Sequence, residues 1–525
     1  MHQACYRKCR MAKSEVLSGM SAVFLLFVLI VTGQGEVKAQ QQSKPNIVIV
    51  LVDDWGWANV GYHQEAPNAE VVTPNMDNLV KEGVELDQHY AFTLCAPSRS
   101  SLLTGRIPIH VCDQIVSEES HNPEDPISGF AGIPREMTGI ATKMKQAGYA
   151  THQVGKWHVG MATPEHTPTG RGFDSSLGYF QGSNDYYTEI FGRCDGVNIV
   201  DLWDTDKPAS DMNGTGYEEG LFKERFLDII NSHDTNNPLF LYYGPHLIHT
   251  PLDVPDEYLE KFSFIDTDTR KRYQAMLNYL DDVIGDLTEA LKDKGMWDNT
   301  LFVVMGDNGG AVYSGGGANN YPLKGGKLSD WQGGVRVNTF VAGGYLPEKM
   351  QGLKLTGKIH IADWYATFCA LAEVDPTDER AAEFDLPPID SLNLWPFLSG
   401  DSTDSPRVDI PISYSTLISG DYKILTGNIV QAGWTGPQYP NLTNPEGGIS
   451  TRQNCGNSGC LYNIMEDPEE RVDLAEVEPE TLKMMQEKLA EYQATYFNPD
   501  RGQVWPGACE MALDTYKGFW GPFLP

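Results

Sequence analysis

Asn46-Ile47-Val48-Ile49-Val50-Leu51-Val52-Asp53-Asp54 is the stretch from which the fold of this chain is read. Its first seven residues are almost continuously apolar. A strand of that kind suits a sheet covered by helices on both faces, where neither side meets water. Two carboxylates follow immediately. A second strand candidate, Leu301 to Met305, leads in the same way to Asp307-Asn308. Chemistry in open α/β sheets gathers outside the carboxyl ends of the strands, so both pairs mark a functional edge. Leu239 to Tyr243 is a further strand candidate. Helical patterns fall at Thr73 to Lys81, Arg135 to Ala147, Glu218 to Asn231, Lys271 to Lys294 and Ile361 to Leu371. The alternation predicts an α/β fold, a mixed sheet flanked by helices.

The chain is long for a single core at 525 residues, so a large α/β domain with a smaller companion is expected. Composition shifts across the Ser/Asp/Pro/Gly-rich stretch Leu398 to Arg407. Beyond it come a short strand at Tyr422 to Leu425, a Gly/Pro/Asn-rich loop and an amphipathic helix near Glu478 to Tyr492. The predicted organisation is a targeting segment over 1–39, a catalytic domain over 40–400 and a C-terminal α+β subdomain over 401–525.

The formal net charge is -32. That excludes nucleic acid as a partner, because nucleic-acid binders need a basic footprint, and it means that any anionic substrate needs a local cationic cluster. Arg7, Lys8, Arg10 and Lys13 precede the apolar run Ala22 to Val31, which is shorter than the about 20 residues of a membrane span. Together with the small residues of Val37-Lys38-Ala39 it reads as a cleaved signal peptide. No stable membrane insertion is expected after cleavage, and the destination is a secreted, lysosomal or periplasm-like compartment. Of the nine cysteines, Cys5 and Cys9 lie in that segment. Cys112, Cys194, Cys369, Cys455, Cys460 and Cys509 form an even set compatible with disulfides in an oxidising compartment. Cys455 and Cys460 are the nearest pair. Asn213-Gly214-Thr215 and Asn441-Leu442-Thr443 are glycosylation sequons.

Four more stretches carry chemistry. Asp53, Asp54, Asp307 and Asn308 offer only oxygen donors, three of them anionic, as Ca²⁺ or Mg²⁺ prefers. Cys95-Ala96-Pro97-Ser98-Arg99 runs into Leu103-Thr104-Gly105-Arg106. Gly155-Lys156-Trp157-His158 and Pro245-His246-Leu247-Ile248-His249-Thr250-Pro251-Leu252 bring imidazoles and a lysine. Pro322-Leu323-Lys324-Gly325-Gly326-Lys327 leads to Gly333-Gly334-Val335-Arg336.

Together these motifs resemble the type I sulfatases, from about Pro45 to about Leu398. A weaker echo follows at Asn463-Ile464-Met465-Glu466-Asp467-Pro468-Glu469-Glu470. Arg171-Gly172-Phe173-Asp174 and the run Leu177 to Tyr187 are most similar to the arylsulfatase B (N-acetylgalactosamine-4-sulfatase) group. The resemblance implies an alkaline-phosphatase-like fold. It implies that Cys95 is oxidised to formylglycine by a formylglycine-generating enzyme that reads Pro97 and Arg99. The hydrated aldehyde offers two hydroxyls on one carbon: one attacks sulfur, and the other collapses the carbon back to aldehyde and expels sulfate. The implied metal site is Asp53, Asp54, Asp307, Asn308 and the modified Cys95, holding Ca²⁺ or Mg²⁺.

In the same reading Arg99 holds the nucleophile and the metal carboxylates, and His158 is the base for the second step. Lys156, His249 and Lys327 bind sulfate, and Lys327 or His249 protonates the leaving group. His246 is expected to be structural, and Lys324 to face solvent or distal substrate. Gln332 stands where the family has Glu, which puts a buried hydrogen bond in question. The segment Cys112 to Arg135 departs from the pattern where substrate-facing loops are expected. The implied function is hydrolysis of sulfate monoesters, on a sulfated glycan or an aryl sulfate. The alternatives are a formylglycine-dependent phosphonate or phosphodiester hydrolase, and a non-catalytic glycan-binding matrix protein.

Overall fold

The computed structural model describes residues 44–64, 68–444 and 448–525. The targeting segment over 1–39, with Cys5 and Cys9, lies outside them. Lys44–Pro525 forms one compact unit.

At its centre is a ten-stranded mixed sheet. In chain order its strands are β1 (Asn46–Val52), β2 (Val84–Leu86), β3 (Ala150–Lys156), β4 (Ser175–Tyr179), β5 (Trp203–Asp204), β6 (Lys207–Pro208), β7 (Leu239–Gly244), β8 (Thr300–Gly306), β9 (Thr339–Ala342) and β10 (Leu353–Leu355). They lie in the order β6-β5-β4-β3-β7-β1-β8-β9-β2-β10. The middle five are parallel, with β1 between β7 and β8, while β9 runs antiparallel to β8. The alternation along β1 shows why it is apolar from Ile47 onward. Ile47, Ile49 and Leu51 join Phe240, Tyr242 and Val303 in one core. Val48, Val50 and Val52 join Leu241, Tyr243 and Val304 in the other. Helices cover both faces, so a polar residue at any β1 position would lose its water on either side.

The predicted helices are present with small shifts. They are α1 (Pro74–Glu82), α3 (Ile140–Gln146), α4 (Glu218–Ser232), α5 (Asp268–Asp293) and α6 (Asp363–Leu371), with α2 (Cys95–Thr104) between the first two. One difference is larger. Residues 135–139 are not helical: the Met137 amide closes a turn on Pro134 O, and Gly139 is the extended residue before α3.

The C-terminal part carries a four-stranded antiparallel sheet, β11 (Asp409–Ser413), β12 (Thr416–Ser419), β13 (Tyr422–Val430) and β14 (Arg452–Asn463). On one face Leu417, Ile424 and Leu461 pack on Met485 and Leu489 of α7 (Pro479–Gln493). On the other, Ile410, Ile412, Ile418 and Leu425 cluster with Tyr90, Trp331 and Val335. The small sheet therefore buttresses the short helix Gln332–Val335 and Trp331 before it. Cys455–Cys460 is a disulfide, and Cys194 pairs with Cys509, 315 residues away. The remaining two of the six, Cys112 and Cys369, stay free thiols buried in a hydrophobic core. Among the described residues, no helix is long and apolar enough to cross a membrane.

Candidate active site at the carboxyl ends of the central strands

The sheet brings the sequence motifs together at the place that strand order dictates. β1 ends at Asp53-Asp54 and β8 ends beside it at Asp307-Asn308; the Asp307 amide donates to Val52 O (3.0 Å), locking the two ends in register. β3 delivers Lys156 and His158, and β7 leads into the loop with His246 and His249. The loop after β7 is stitched to β1 by Asp53 N to Leu247 O (3.0 Å) and Ile248 N to Asp53 O (2.8 Å).

Cys95 opens α2, whose ten residues are all buried. Its Sγ lies 3.3 Å from Asp53 Oδ1. The helix N-terminus behind it favours negative charge. One turn on, Arg99 is fully buried and places Nε and Nη2 at 3.0 and 2.8 Å from Asp307 Oδ2, with Nη2 3.6 Å from Asp53. Its Nη1 donates to Lys156 O and to the Tyr242 hydroxyl, both at 3.3 Å. Lys156 pairs with Asp53, and Lys327 Nζ lies 2.7 Å from Asp54 Oδ1. Three buried carboxylates thus face three cations. A divalent ion would add the two positive charges that a sulfate monoester and an ionised hydroxyl balance.

The electrostatics follow from this enclosure. Burial alone would raise Asp53, but Lys156, His249, Arg99 and Lys327 hold its carboxyl well below the usual range. Asp54 and Asp307 are raised, chiefly by burial, Asp307 to about 6. Burial, Asp307 and Asp53 push the Cys95 thiol far up, so an unmodified sulfur stays protonated and is a weak nucleophile. His158 and His249 are driven well below the ordinary imidazole value by burial and nearby cations, so both are neutral bases. Burial would lower Lys327, but Asp54 and its neighbours carry it well above the usual lysine value.

The donor set fits a hard cation. Asp54 Oδ2 and Asn308 Oδ1 are buried without a hydrogen-bond partner, a costly state for oxygens unless something electropositive meets them. Asn308 Nδ2 is committed to Asp54 Oδ1 (2.8 Å) and Gly309 O (2.9 Å), which turns its oxygen to the site. Donor atoms of Asp53, Asp54, Cys95 and His249 converge within 4.8 Å of one another. Asp54 and His158 both sit at φ 54° and Leu328 at φ 77°, a left-handed conformation uncommon in residues with a Cβ that tends to cluster at functional sites. Tyr273 stabilises the first of these by donating to Asp54 O (2.8 Å).

Three further residues behave in ways the sequence left open. His246 is structural: it is fully buried, stacks on Tyr186 at 4.0 Å and lies 3.1 Å from Glu218. Lys324 does not face solvent. Its ammonium sits 3.5 Å over the Trp331 ring and 4.9 Å from Trp434, and bonds Gln453 Oε1 (2.7 Å), because the C-terminal sheet covers it. At Gln332 the side-chain oxygen accepts from Tyr90 (3.3 Å) while Nε2 is buried without a partner, and the backbone N–H donates to Glu470 Oε2 (2.6 Å). Glu470 also pairs with buried Lys423 (2.7 Å), which explains the echo motif in the C-terminal part. The sequence reading missed Tyr242, Tyr273 and Tyr313. Tyr313 is pushed up to about 12 by burial and Asp54. Lone tyrosines outside any motif carry no signal that would have found them.

A buried, oxygen-rich pocket at the carboxyl edge of a mixed α/β sheet, with a cysteine in the first turn of a helix and three cations, is suited to metal-assisted ester hydrolysis. A sequence model of the sulfatase family matches residues 45–374. Arylsulfatase J of Mus musculus is 34% identical over 92% of this chain and 83% of its own length. The N-acetylgalactosamine-6-sulfatase of Homo sapiens is 32% identical over 71% and 69%. The solved structure of Ps i-CgsB in complex with k-i-k-neocarrahexaose superposes with a TM-score of 0.69 at 27% identity, covering 88% of this chain and 94% of that one. The chain belongs to the sulfatase family, and the reaction it catalyses is hydrolysis of sulfate esters.

Proposed function

We propose that this enzyme removes sulfate from a sulfated glycan, using Cys95 converted to formylglycine and a bound Ca²⁺. The observation that carries the reading is the position of Cys95: buried at a helix N-terminus, 3.3 Å from Asp53, and ringed by Lys156, Lys327 and Arg99. Asp53, Asp54, Asp307 and Asn308, with the oxygen of the modified residue 95, would hold the cation, which when bound polarises sulfate oxygens and eases ionisation of the attacking hydroxyl. Conversion of Cys95 supplies that hydroxyl. The glycan assignment is supported by relatives named for N-acetylgalactosamine-6-sulfate and by the neocarrahexaose complex.

The remaining work falls to the side chains. Lys156 and Lys327 would receive the sulfate oxygens, where negative charge builds during attack. Arg99 keeps Asp307 and Asp53 ionised and oriented. His249 Nδ1 meets Thr250 O at 2.5 Å, so the proton of its neutral ring sits on Nδ1 and Nε2 has none to give. Lys327 is held protonated and is therefore the general acid for the leaving alkoxide. His158, neutral, takes the proton that releases sulfate. Because Cys95 to Arg99 are wholly buried, a formylglycine-generating enzyme would have to act before the chain folds, during export through a secretory route.

The test pairs mass spectrometry of the Cys95 peptide with hydrolysis of a chromogenic aryl sulfate. A converted Cys95 with turnover abolished in Cys95→Ala is the expected result. Turnover retained in Cys95→Ala refutes the nucleophile.

A further inference from the structure

Behind His158 stands a carboxyl that no motif announces. Glu118 lies in the Cys112–Arg135 segment, which departs from the family pattern, and it is 3% exposed. Its Oε1 is 4.0 Å from His158 Nε2. Both groups carry an unpartnered buried atom, Glu118 Oε2 and His158 Nδ1. The ring is pinned on its other side: a Cβ added at Gly182 would meet His158 Cε1 at 2.9 Å, and the His158 amide donates to Phe180 O (3.2 Å).

We propose that Glu118 is the positioning residue of His158, accepting a hydrogen bond from Nε2–H so that Nδ1 carries the lone pair that takes the proton. The inference rests on the reading of His158 as the base. In the step concerned, a proton leaves the free hydroxyl on residue 95 for Nδ1, the carbonyl re-forms as the carbon–oxygen bond to sulfate breaks, and sulfate departs with the bonding pair; Nε2–H stays on the ring facing Glu118, and Nδ1 then gives its proton to water. Once the 4.0 Å separation closes to hydrogen-bond length, the carboxyl can accept from Nε2–H even when it is itself protonated, which fixes the tautomer and orientation of the ring.

The surroundings agree. The titratable groups facing His158 from the other side are Lys156, Arg99, Asp53 and Lys327, and the three cations all oppose its protonation. Those facing Glu118 are Glu119 and Asp201, and with burial they raise its carboxyl well above the usual range. These two are anchored elsewhere: Glu119 Oε1 accepts from Gln181 Nε2 (2.8 Å), and Asp201 accepts the Phe180 and Gln181 amides (3.0 and 2.7 Å). Glu118 too is anchored, by the Gly160 amide, but of these carboxyls it is the one turned to the imidazole, with Oε2 left unpartnered.

The experiment compares wild type, Glu118→Gln and Glu118→Met for conversion of Cys95 and for kcat and KM on an aryl sulfate across pH. Glu118→Met is expected to lower kcat ~100-fold with KM little changed, and Glu118→Gln, which keeps an acceptor, ~10-fold. In Glu118→Met the acid limb of the kcat profile moves down by about one pH unit, because Nε2–H loses its acceptor, whereas Glu118→Gln, which keeps a neutral acceptor, leaves it in place. Should the Met variant fail to fold, the isosteric Gln variant decides. An unchanged kcat in Glu118→Gln overturns the proposal, as does a rise in KM with kcat intact. A wild-type enzyme with converted Cys95 and no turnover fails the underlying reading instead, and the inference with it.

Discussion

Replacing Asp307 with Asn tests the charge balance of the site while preserving its shape. Arg99 directs two N–H groups at Asp307 Oδ2, at 3.0 and 2.8 Å, in a pocket where both side chains are fully buried. Charge-assisted bonds contribute ~1.5–3 kcal/mol each, against ~0.5–1.5 for neutral ones. Arg99 stays cationic, so what the substitution removes is the buried counter-charge, at a cost of about 3 kcal/mol, before the loss of one anionic cation ligand is counted. A total of about 3–4 kcal/mol in transition-state stabilisation corresponds to a ~10²–10³-fold fall in kcat/KM.

The assay is aryl sulfate hydrolysis over a calcium titration after chelation, with the mass of the Cys95 peptide as control. Asp307 is 208 residues from Arg99 along the chain and conversion acts before the chain folds, so conversion should match wild type. Half-saturation by Ca²⁺ is expected to rise at least ~10-fold, with partial recovery of rate at saturating ion. An Asp307→Asn enzyme that works within about threefold of wild type without added calcium would refute both the metal assignment and the balance of three carboxylates against three cations.

Two other outcomes follow from buried pairs away from the nucleophile. Glu470→Gln leaves Lys423 uncompensated at zero exposure and should destabilise the fold by about 3–5 kcal/mol in denaturant melts, with much of the loss recovered when Lys423→Met is added; a single variant as stable as wild type contradicts the buried pair. Glu219, raised by burial to about 7 while accepting from Tyr243 and the His246 and Leu247 amides, binds a proton in the folded state that the unfolded chain releases between its ordinary value of about 4.5 and 7. Its contribution to stability therefore falls as pH rises through that interval. Glu219→Gln, which can keep all three hydrogen bonds, should match wild type near pH 5 and exceed it near pH 8; parallel stability curves would show that Glu219 does not titrate this way.

The architecture was legible because its signals are local. A strand buried on both faces must be apolar at every position, as Asn46 to Val52 nearly is, and the acids that follow it fall at the strand's carboxyl end. The short motifs around Cys95, Lys156, His249 and Lys327 each announced a reactive group, and the sheet order then made them neighbours. The start of α3 was misjudged because residues 135–139 carry helical composition, yet Pro134 O captures the Met137 amide in a turn.

What the amino-acid order determined by itself was the inventory of chemistry: oxygen donors for a hard cation, a cysteine at a modification motif, and cations enough to meet a sulfate in an otherwise acidic chain. Only the tertiary structure decided which of those groups are committed and to what. Lys324 is drawn into an aromatic pocket closed by Gln453, 129 positions later, Cys194 finds Cys509 across 315 residues, and Glu118 comes to His158 from a segment without a motif. The physical reason is range. Periodicity and motif spacing report contacts within a few residues, whereas burial, pairing and proton affinity are set by groups that long-range packing brings to a few ångströms.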